Sequence, residues 1–250
     1  MLKEERQQHI LERLRREGKV LASALCTELH VSEDTVRRDL QDLADMSMIQ
    51  RVHGGALLRT PVLSYAVRQD QALSAKAEIA RAALRLVRNG QVIVMDGGTT
   101  TIQVAHHFPT DLHATVITNS PPLAVALSEH PYVELLLLGG RLAKEALVTV
   151  GVETVTALRS FRADLCFLGV CSLHPEVGIS IPDLDEVYTK RTMIECSAEV
   201  AALASAEKLT TADSYVVGPL QDLTHLVTEQ SVADDVLAPY RALGITIVQP

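Results

Sequence analysis

From residue 91 onward, short aliphatic and β-branched runs alternate with helical stretches, and this alternation constrains the fold more than any other feature. The runs predicted as strands are 92–95, 114–118, 133–138, 165–169, 200–204, 225–228 and 245–248. Helices are predicted between them at about 100–107, 121–128, 152–160, 186–197 and 231–242. Apolar strands separated by helices are typical of a parallel sheet covered on both faces. The sequence therefore predicts a Rossmann-like, mostly parallel α/β domain.

Polar and glycine-rich segments follow four of the predicted strands at the points where those strands end. Ligands bind beyond the carboxyl ends of strands in open parallel sheets, so these segments are candidates for one ligand crevice. The segment after the first strand combines glycine backbone N–H groups with threonine hydroxyls, which suits a phosphate group. The candidate residues are Asp96, Gly97, Gly98, Thr99, Thr100, Thr118, Asn119, Ser120, Gly139, Gly140, Arg141, Gly169 and Cys171.

Cofactor and metal signatures do not accompany these loops. The Asp96 loop matches neither G-x-x-x-x-G-K-[ST] nor G-x-G-x-x-G, so a nucleoside triphosphate or a dinucleotide is not indicated. The four cysteines show no C-x-x-C spacing, which favours reduced thiols over a zinc site. We therefore expect neither a cofactor nor a metal.

Positive charge that could bind an anion is scarce in this region, which draws attention to Arg141, Lys190 and Lys208. Lys190 follows Glu186 by one helical turn, a spacing that usually marks an exposed surface pair. Its place after a loop that contains Pro182, near the predicted strand ends, favours the crevice instead. Glu186, Lys190 and Lys208 therefore join the candidate ligand-binding residues.

The patterns in the first sixty residues predict three helices and a hairpin. The first helix is predicted over 4–17, and Leu21 begins a second with an apolar stripe. Ser32 is a good N-cap for a third, whose stripe leaves Thr35, Arg37, Arg38 and Asp39 on a polar face. Residues 47–57 alternate and then contain a glycine pair, which indicates a small hairpin or wing. Such an arrangement is typical of a helix-turn-helix.

Composition allows DNA binding without indicating it. The 250 residues carry a formal net charge of −8. Residues 1–60 contain 10 Lys and Arg against 10 Asp and Glu, which leaves 13 against 21 for the remaining 190. The first sixty residues therefore repel a polyanion less than the rest of the chain does, and only local clustering of their arginines could favour DNA binding.

The string VSEDTVRRDL at residues 31–40, followed by RVHGGA at 51–56, closely resembles the winged helix-turn-helix of the DeoR family of bacterial transcription regulators. The resemblance covers nearly all of residues 1–58. It implies that the third helix enters the major groove of DNA while the wing lies against the backbone or minor groove. The residues it places near DNA are Ser32, Thr35, Arg37, Arg38, Arg51, His53 and Gly54.

The loops after the strands, together with residues 178–191, resemble the C-terminal sensor domain of the same family. That domain is similar to sugar-phosphate isomerases, and in regulators it binds a phosphorylated sugar or polyol. Residues 59–73 contain Thr60-Pro61 and scattered polar residues and show no convincing period, so the sequence predicts a linker there, followed by an effector domain at 74–250. This chain departs from the family pattern at Cys171–Ser172 and at Ser205–Ala206, both near the expected crevice.

The sequence thus predicts a DNA-binding regulator, most simply a repressor of a carbohydrate or polyol catabolic operon. Its expected partners are double-stranded operator DNA, a phosphorylated sugar or polyol effector, and further copies of itself in a dimer or tetramer. The chain has no membrane-spanning run and no secretory signal, so we expect a cytoplasmic protein.

Two other functions remain open from the sequence. In a sugar-phosphate isomerase, Asp96 or Glu186 would abstract a proton while Lys190 steadies the developing oxyanion. In an architectural DNA-binding protein, the second domain would only mediate oligomerisation. We expect the regulator rather than the enzyme, because an isomerase gains nothing from a winged DNA-binding head.

Overall fold

The N-terminal region forms three helices and a three-stranded antiparallel sheet in the computed structural model, which describes residues 1–59 and 63–250. We call this region the head. Its elements are α1 (Lys3–Glu17), β1 (Lys19–Leu21), α2 (Ala22–Leu29), α3 (Glu33–Asp45), β2 (Ile49–Val52) and β3 (Gly55–Leu58). The apolar stripes of the three helices meet in one core that contains Leu14, Leu25 and Leu40. The predicted winged helix-turn-helix is confirmed.

The two glycines of the wing are required for different structural reasons. Gly54 has a φ of 78°, a left-handed conformation that glycine adopts at little cost, and it turns the chain between β2 and β3. A Cβ atom on Gly55 would collide with the carbonyl group of Val20, because β3 lies directly beside β1. The sequence did not reveal β1, since its three residues are too few to show a strand period.

After the head, the described chain contains seven further α-helices and twelve further strands. The elements are α4 (Tyr65–Gln69), α5 (Leu73–Ala83), β4 (Val92–Met95), α6 (Thr101–His106), β5 (Ala114–Thr118), α7 (Pro121–Leu127), β6 (Val133–Leu137), β7 (Arg141–Ala143), β8 (Val148–Val150), α8 (Val152–Leu158), β9 (Ala163–Gly169), β10 (Ser172–His174), β11 (Gly178–Ile181), α9 (Leu184–Glu195), β12 (Ser197–Leu203), β13 (Tyr215–Gly218), β14 (His225–Val227), α10 (Asp234–Ala242) and β15 (Thr246–Val248). We call the part from α5 onward the sensor domain.

A seven-stranded parallel sheet forms the centre of the sensor domain, in the order β15-β14-β12-β9-β4-β5-β6. Each of these strands matches a predicted one, and every neighbouring pair is parallel. Along β4, Val94 belongs to one buried cluster, whereas Ile93 and Met95 belong to a second cluster on the opposite face. Because both faces are buried, the strands read as continuous apolar runs, and the predicted α/β fold is confirmed.

Two small antiparallel sheets were not predicted. One is the β7–β8 hairpin, and the other contains β10, β11 and β13. Their strands have three or four residues each, too short for a period-2 pattern to stand out. Both sheets lie next to the carboxyl ends of the large sheet, since β7 follows β6 and β10 follows β9.

The predicted linker at 59–73 contains one helical turn. Ser64 caps α4, and its hydroxyl accepts the Val67 N–H at 3.5 Å. The Thr60-Pro61 pair that suggested a linker lies outside the described residues. Within the described ranges, no helix combines the length and apolar character needed to cross a membrane.

The head packs directly against the sensor domain. Leu58 at the end of β3 forms a parallel bridge with Thr211, and the Leu58 carbonyl accepts the Ala212 N–H at 3.0 Å. Two ion pairs cross the same boundary, Arg59–Asp213 at 2.9 Å and Lys19–Glu176 at 2.5 Å. A change in the sensor domain near residue 213 can therefore reach the last strand of the head by direct contact.

Candidate functional site

The exposed face of α3 carries the arginines that the sequence assigns to DNA. Arg38 is 82% exposed and Arg37 is 63% exposed. Ser32 caps the helix, since its hydroxyl accepts the Thr35 N–H at 3.3 Å and lies 2.9 Å from the Thr35 hydroxyl. Ser32, Thr35, Arg37 and Arg38 therefore lie together at the N-terminal end of α3, which is the end that contacts bases in helix-turn-helix proteins.

Two acidic residues in the first turn of α3 neutralise these arginines. Arg37 pairs with Glu33 at 2.7 Å, whereas Arg38 lies 3.8 Å from Asp34. Both pairs are one turn apart and exposed, so each is worth a few tenths of a kcal/mol, or ~0.3–0.5 kcal/mol. DNA phosphates or base edges can therefore replace these carboxylates at little cost.

The wing residues lie beside α3. The Arg51 guanidinium in β2 donates a hydrogen bond to the side-chain oxygen of Gln41 in α3. His53 and Gly54 are exposed at the tip of the wing, with open space around Gly54. The described geometry thus joins the wing and α3 into one polar surface.

One residue of the predicted polar face is buried instead. Asp39 is 2% exposed, and its carboxylate accepts hydrogen bonds from Arg6 Nε at 2.7 Å and Arg6 Nη2 at 3.0 Å. This fork ties α1 to α3, so the prediction that Asp39 faces an outside partner is wrong. The sequence could not show that Arg6 reaches Asp39, because the contact joins residues 33 positions apart.

A cavity of about 340 Å³ lies at the carboxyl ends of β4, β9 and β12 in the sensor domain. It opens where the loops after those strands meet the β7–β8 hairpin and the start of α9. Its lining residues are Leu63, Arg68, Gly97, Gly98, Thr99, Thr100, Thr101, Arg141, Ala143, Lys144, Glu145, Ala146, Gly169, Val170, Cys171, Pro182, Asp183, Glu186, Lys190, Leu203, Lys208 and Asp213. The predicted crevice therefore exists as a cavity at the expected edge of the sheet.

A buried ion pair forms the floor of this cavity. Lys190 is 4% exposed, and its ammonium group donates to an Asp96 carboxylate oxygen and, at 2.8 Å, to the Gly169 carbonyl. Asp96 also accepts the N–H groups of Gly97 at 2.8 Å and Gly169 at 3.0 Å. Burial by itself lowers the pKa of Lys190, but Asp96 and Glu186 outweigh it and hold that pKa above its ordinary value. Lys190 is therefore charged.

Glu186 and Lys190 do not form a surface pair. The Glu186 carboxylate lies 3.9 Å from Lys190 Nζ at the cavity wall, and burial raises its pKa. Asp96 and Lys190 satisfy each other, so Glu186 is the acidic group of this trio with room for a ligand hydroxyl. A carboxyl group of raised pKa can accept or donate a hydrogen bond to such a hydroxyl.

Glycines bring the two central loops into contact. A Cβ on Gly97 would collide with the Val148 side chain, and one on Gly169 would lie 2.7 Å from the Gly97 carbonyl oxygen. The backbone of the Asp96 loop is consequently exposed to the cavity over Gly97 and Gly98. Thr100 lines the same wall, and its buried hydroxyl has no hydrogen-bond partner among the described residues.

Six predicted ligand residues are not part of the cavity lining; they are Asp96, which lies behind Lys190, and five others that support the cavity from behind. Thr118 Oγ1 donates to the Met95 carbonyl at 2.7 Å, Asn119 Nδ2 donates to the Thr149 carbonyl at 3.0 Å, and Ser120 caps α7. Gly139 and Gly140 adjoin α8, because the Thr154 hydroxyl donates to the Gly139 carbonyl at 2.7 Å. These polar groups hold the β5 and β6 loops against the β7–β8 hairpin.

Arg141 lies at the exposed mouth of the cavity. Its guanidinium donates to the Asp185 carboxylate, which joins the β7–β8 hairpin to the beginning of α9. Both residues are more than half exposed. The pair therefore bridges two walls of the cavity at the solvent boundary.

The departures from the family pattern fall beside the cavity and within it. Cys171 lines the wall, and burial raises the pKa of its thiol, which keeps the thiol neutral. Ser205 lies behind the wall, and its hydroxyl donates to Glu207 at 2.5 Å. Lys208 lines the cavity, and burial lowers its pKa. In the part of the chain that the structure describes, no cluster of His, Cys, Asp and Glu could hold a metal ion.

Five charged lining residues were missed by sequence reasoning, namely Arg68, Lys144, Glu145, Asp183 and Asp213. Arg68 lies in α4, within the predicted linker, where no periodic pattern drew attention to it. Asp213 accepts hydrogen bonds from Arg59 Nε at 2.9 Å and the Ser172 hydroxyl at 3.0 Å. It therefore contacts the head and the cavity at once. The sequence around Asp213 shows only an acidic residue two positions after a threonine pair, which is too common to be informative.

Two family models match the chain, one for each folded region. The model of the DeoR-like helix-turn-helix domain matches residues 6–62, and the model of the DeoR C terminal sensor domain matches residues 71–230. The chain belongs to the DeoR family of transcriptional regulators. The family resemblance seen in the sequence is confirmed.

Curated relatives of this DeoR-family chain carry regulator names. It is 33% identical to the HTH-type transcriptional regulator GlpR of Haloferax volcanii, over 99% of this chain and 98% of the relative. It is 35% identical to the HTH-type transcriptional repressor GlcR of Bacillus subtilis, over 92% and 90% of the two chains. The Glycerol-3-phosphate regulon repressor of Haemophilus influenzae is 29% identical over 89% and 88%. The chain is a DNA-binding regulator and not an enzyme, as the sequence predicted.

Similarity to solved structures is more distant. Ribose 5-phosphate isomerase A from Methanocaldococcus jannaschii aligns with 53% of this chain and 52% of its own, with a TM-score of 0.40 and 15% identity. The eIF2B beta subunit from Chaetomium thermophilum aligns with 62% and 48% of the two chains, with a TM-score of 0.47 and 14% identity. Neither alignment assigns an activity to this DeoR-family chain.

Proposed function

We propose that this DeoR-family chain is a cytoplasmic repressor of a carbohydrate or polyol catabolic operon, and that a phosphorylated sugar or polyol in the sensor-domain cavity modulates its binding to the operator. The observation that carries this proposal is the cavity of about 340 Å³, which combines the buried Lys190 and the partly buried Lys208 with polar backbone at the sheet edge where such folds bind ligands. The names of GlcR as a repressor and of the glycerol-3-phosphate regulon repressor support the same class of function.

On DNA, the N-terminal end of α3 enters the major groove and the wing follows the adjacent backbone or minor groove. Arg37 and Arg38 exchange their carboxylate partners for base edges or phosphates, and Ser32 and Thr35 add hydroxyl contacts. Arg51, His53 and Gly54 approach the backbone from the wing. The exposure of these side chains on one surface supports this assignment.

In the cavity, the effector occupies the space between the Asp96 loop and the start of α9. Glu186 and the neutral Cys171 face the sugar portion, while Gly97, Gly98, Thr99 and Thr100 offer N–H and hydroxyl donors to the anionic portion. Lys190 contributes its charge from the floor while it remains bonded to Asp96. Thr118, Asn119, Ser120, Gly139 and Gly140 act by positioning these loops.

Asp213 connects the cavity to the head in this proposal. It lines the cavity and also holds Arg59, the residue that follows β3 of the head. An effector that alters the position of Asp213 changes the Arg59 contact and thereby the balance between head arrangements. Coupling requires that the effector bind two arrangements with different affinity, typically by about 1–3 kcal/mol.

Operator binding also requires more than one copy of the chain, because a single small head makes few contacts. Two heads would occupy half-sites about 34–36 Å apart. Tyr132 and Leu137 are exposed apolar residues beside and within β6, the edge strand of the large sheet, and Leu142 is exposed in β7, the next strand along the chain. They support self-association along this edge into a dimer or tetramer, which light scattering of the purified protein would measure.

The test is operator binding with and without phosphorylated sugars. Fluorescence anisotropy at fixed salt would measure affinity for the DNA upstream of the protein's own gene. Ribose 5-phosphate and glycerol 3-phosphate would be compared with ribose and glycerol. We expect at least one phosphorylated compound to change the affinity by about 5–150-fold, while its dephosphorylated counterpart has no effect. An affinity that no phosphorylated compound changes would overturn the proposal and favour an architectural role.

A further inference from the structure

We propose that Arg68 of α4, together with Lys208, forms the anion-binding end of the sensor-domain cavity and binds the phosphate group of the effector. This inference rests on the proposed function, and it assigns part of the effector site to the segment between the head and the sensor domain. Arg68 falls between the ranges of the two matching family models, 6–62 and 71–230. Neither model therefore contains this residue.

The position of Arg68 is the first argument. Both Arg68 and Lys208 line the cavity, with Lys208 in the connection after β12 and Arg68 in the turn of helix before α5. They thus reach the cavity from different elements. Tyr65, in the same turn, is buried, and its N–H donates to the Glu145 carbonyl at 2.8 Å, which fixes α4 against the β7–β8 hairpin.

The second argument is the lack of a partner for the Arg68 guanidinium. Its Nε is buried and has no hydrogen-bond acceptor, and no ion pair between described residues includes Arg68. Lys208 likewise takes part in no ion pair within the described ranges. Two other lining cations are paired, since Lys190 contacts Asp96 and Arg141 contacts Asp185, whereas Lys144 is exposed to solvent.

Two partly buried cations that line one cavity without a counterion among the described residues are unfavourable in the free protein. Burial is the main reason that the pKa of Lys208 is lowered, and the charge of Arg68 lowers it further. Lys76 lies in the same neighbourhood, and burial together with the charge of Lys208 lowers its pKa to about 8. Proteins rarely bury unpaired charges, so an external anion is the simplest compensation for this group.

The chemistry of the ligand follows from the donors. A guanidinium presents a planar fork that fits two oxygens of a phosphate or carboxylate, and an ammonium supplies a point charge beside it. The Thr100 hydroxyl, buried on the same cavity and without a partner in the described chain, can donate to a third oxygen. Three or more oxygen acceptors on one group indicate phosphate more than carboxylate.

The acidic groups that face this cavity do not cancel the pair. Asp183 caps α9 through the Asp185 N–H at 2.8 Å, Glu186 lies beside Lys190, and Asp213 is held by Arg59. Glu145 is exposed at the rim. A phosphate bound by Arg68 would therefore connect the effector to α4, six residues after the Arg59 that contacts Asp213.

The experiment uses the full-length protein and two probes, inorganic phosphate and ribose 5-phosphate. Thermal unfolding and calorimetric titration would compare wild type, Arg68→Met and Arg68→Lys, with Arg81→Met on the exposed face of α5 as the matched control. We expect Arg68→Met to weaken both probes by about tenfold or more, Arg68→Lys to retain part of the affinity, and Arg81→Met to match wild type. Without a ligand, Arg68→Met should melt at the wild-type temperature or above it, because the removed charge has no partner.

Each other result has a defined meaning. Equal affinity of wild type and Arg68→Met for both probes would overturn the inference while leaving the proposed effector site intact. A lower melting temperature of ligand-free Arg68→Met and Arg68→Lys alike would indicate a structural role for Arg68 and would also overturn it. If phosphate binding requires Arg68 but no phosphorylated sugar alters operator affinity, the inference holds and the proposed function fails. Absence of binding by wild type at millimolar concentrations of either probe would overturn both.

Discussion

The head and the sensor-domain cavity both carry arginine or lysine at a proposed anion-binding site, but the surroundings of those charges differ. On α3, Arg37 and Arg38 are exposed, and each has an acidic residue one turn away. In the cavity, Lys190 is buried in a network with Asp96, while Arg68 and Lys208 are partly buried without a counterion among the described residues.

The difference reflects the size of the ligand. DNA supplies many phosphates, so the head can use weak, screened contacts whose free energies add over a large surface. A small effector makes few contacts, and each must be strong, which requires low exposure and little competition from water. Breaking an ion pair of the head therefore costs little free energy, whereas breaking one of the cavity costs much more.

The largest expected effect tests that contrast in stability. Lys190→Met leaves Asp96 buried without its cation, so the free energy of unfolding should fall by about 3–5 kcal/mol. Arg37→Ala removes the exposed ion pair with Glu33 and should change the free energy of unfolding by no more than about 0.5 kcal/mol. Urea unfolding at neutral pH measures both values. Equal losses in the two variants would show that burial does not separate the two regions.

The second prediction concerns affinity in the head. Arg38→Ala should weaken operator binding by about 1–3 kcal/mol, because it removes a base or phosphate contact without disturbing the core. Anisotropy titration at fixed salt would measure it, and Arg162→Ala, an exposed change in the sensor domain, serves as the control. Unchanged binding of Arg38→Ala would contradict the role assigned to α3.

The third prediction compares the two ion pairs that join the regions. Asp213→Asn removes the charge that holds Arg59, and the effect of ribose 5-phosphate or glycerol 3-phosphate on operator affinity should fall to less than about threefold. Glu176→Gln removes the exposed pair with Lys19 and should leave the effect unchanged. If both variants retain the wild-type response, communication does not pass through Asp213.

The smallest effect concerns pH. Burial lowers the pKa of Lys76 in the folded protein to about 8, below its value of 10.5 in the unfolded chain. The unfolded state binds more protons between pH 8 and 10.5, so wild-type stability rises with pH in that window. Lys76→Met removes a buried charge, which stabilises the folded protein, but it also removes the hydrogen bond to the Arg68 carbonyl, which offsets part of that stabilisation. The variant should therefore be more stable than wild type by roughly 1 kcal/mol at pH 7.

Denaturation of the Lys76→Met variant at pH 7 and pH 10.5 checks this sign. The advantage over wild type should be present at pH 7 and should disappear by pH 10.5. A constant difference at both pH values would show that Lys76 titrates normally in the folded protein.

Much of the fold was predictable because its signals are local. The large sheet is buried on both faces, so β4 and β5 read as apolar runs with the same bounds in sequence and structure. Ser32 predicted the start of a helix because its side chain caps α3, and Gly54 predicted a turn because glycine adopts a left-handed conformation easily. The short strands β7, β8, β10, β11 and β13 carried no comparable pattern, because pairing partners rather than period define them.

The candidate site was less predictable, because a polar residue at a strand end has two uses. Gly97, Gly98, Thr99 and Thr100 line the cavity, whereas Thr118 and Asn119 bond to nearby carbonyl groups and support it. The same residue types serve both purposes. Only the positions of neighbouring backbone groups distinguish them.

By itself, the sequence determined the order of strands and helices, the winged head and the polar α3 surface, since these depend on caps and on hydrophobic periods within a few residues. Tertiary structure decided which charges are paired. The contacts of Asp39 with Arg6, of Asp96 with Lys190 and of Asp213 with Arg59 join residues far apart in the chain. Such pairs, and the lack of an ion-pair partner for Arg68 among the described residues, depend on how the elements pack, because electrostatic energy follows distance and burial in space rather than separation in sequence.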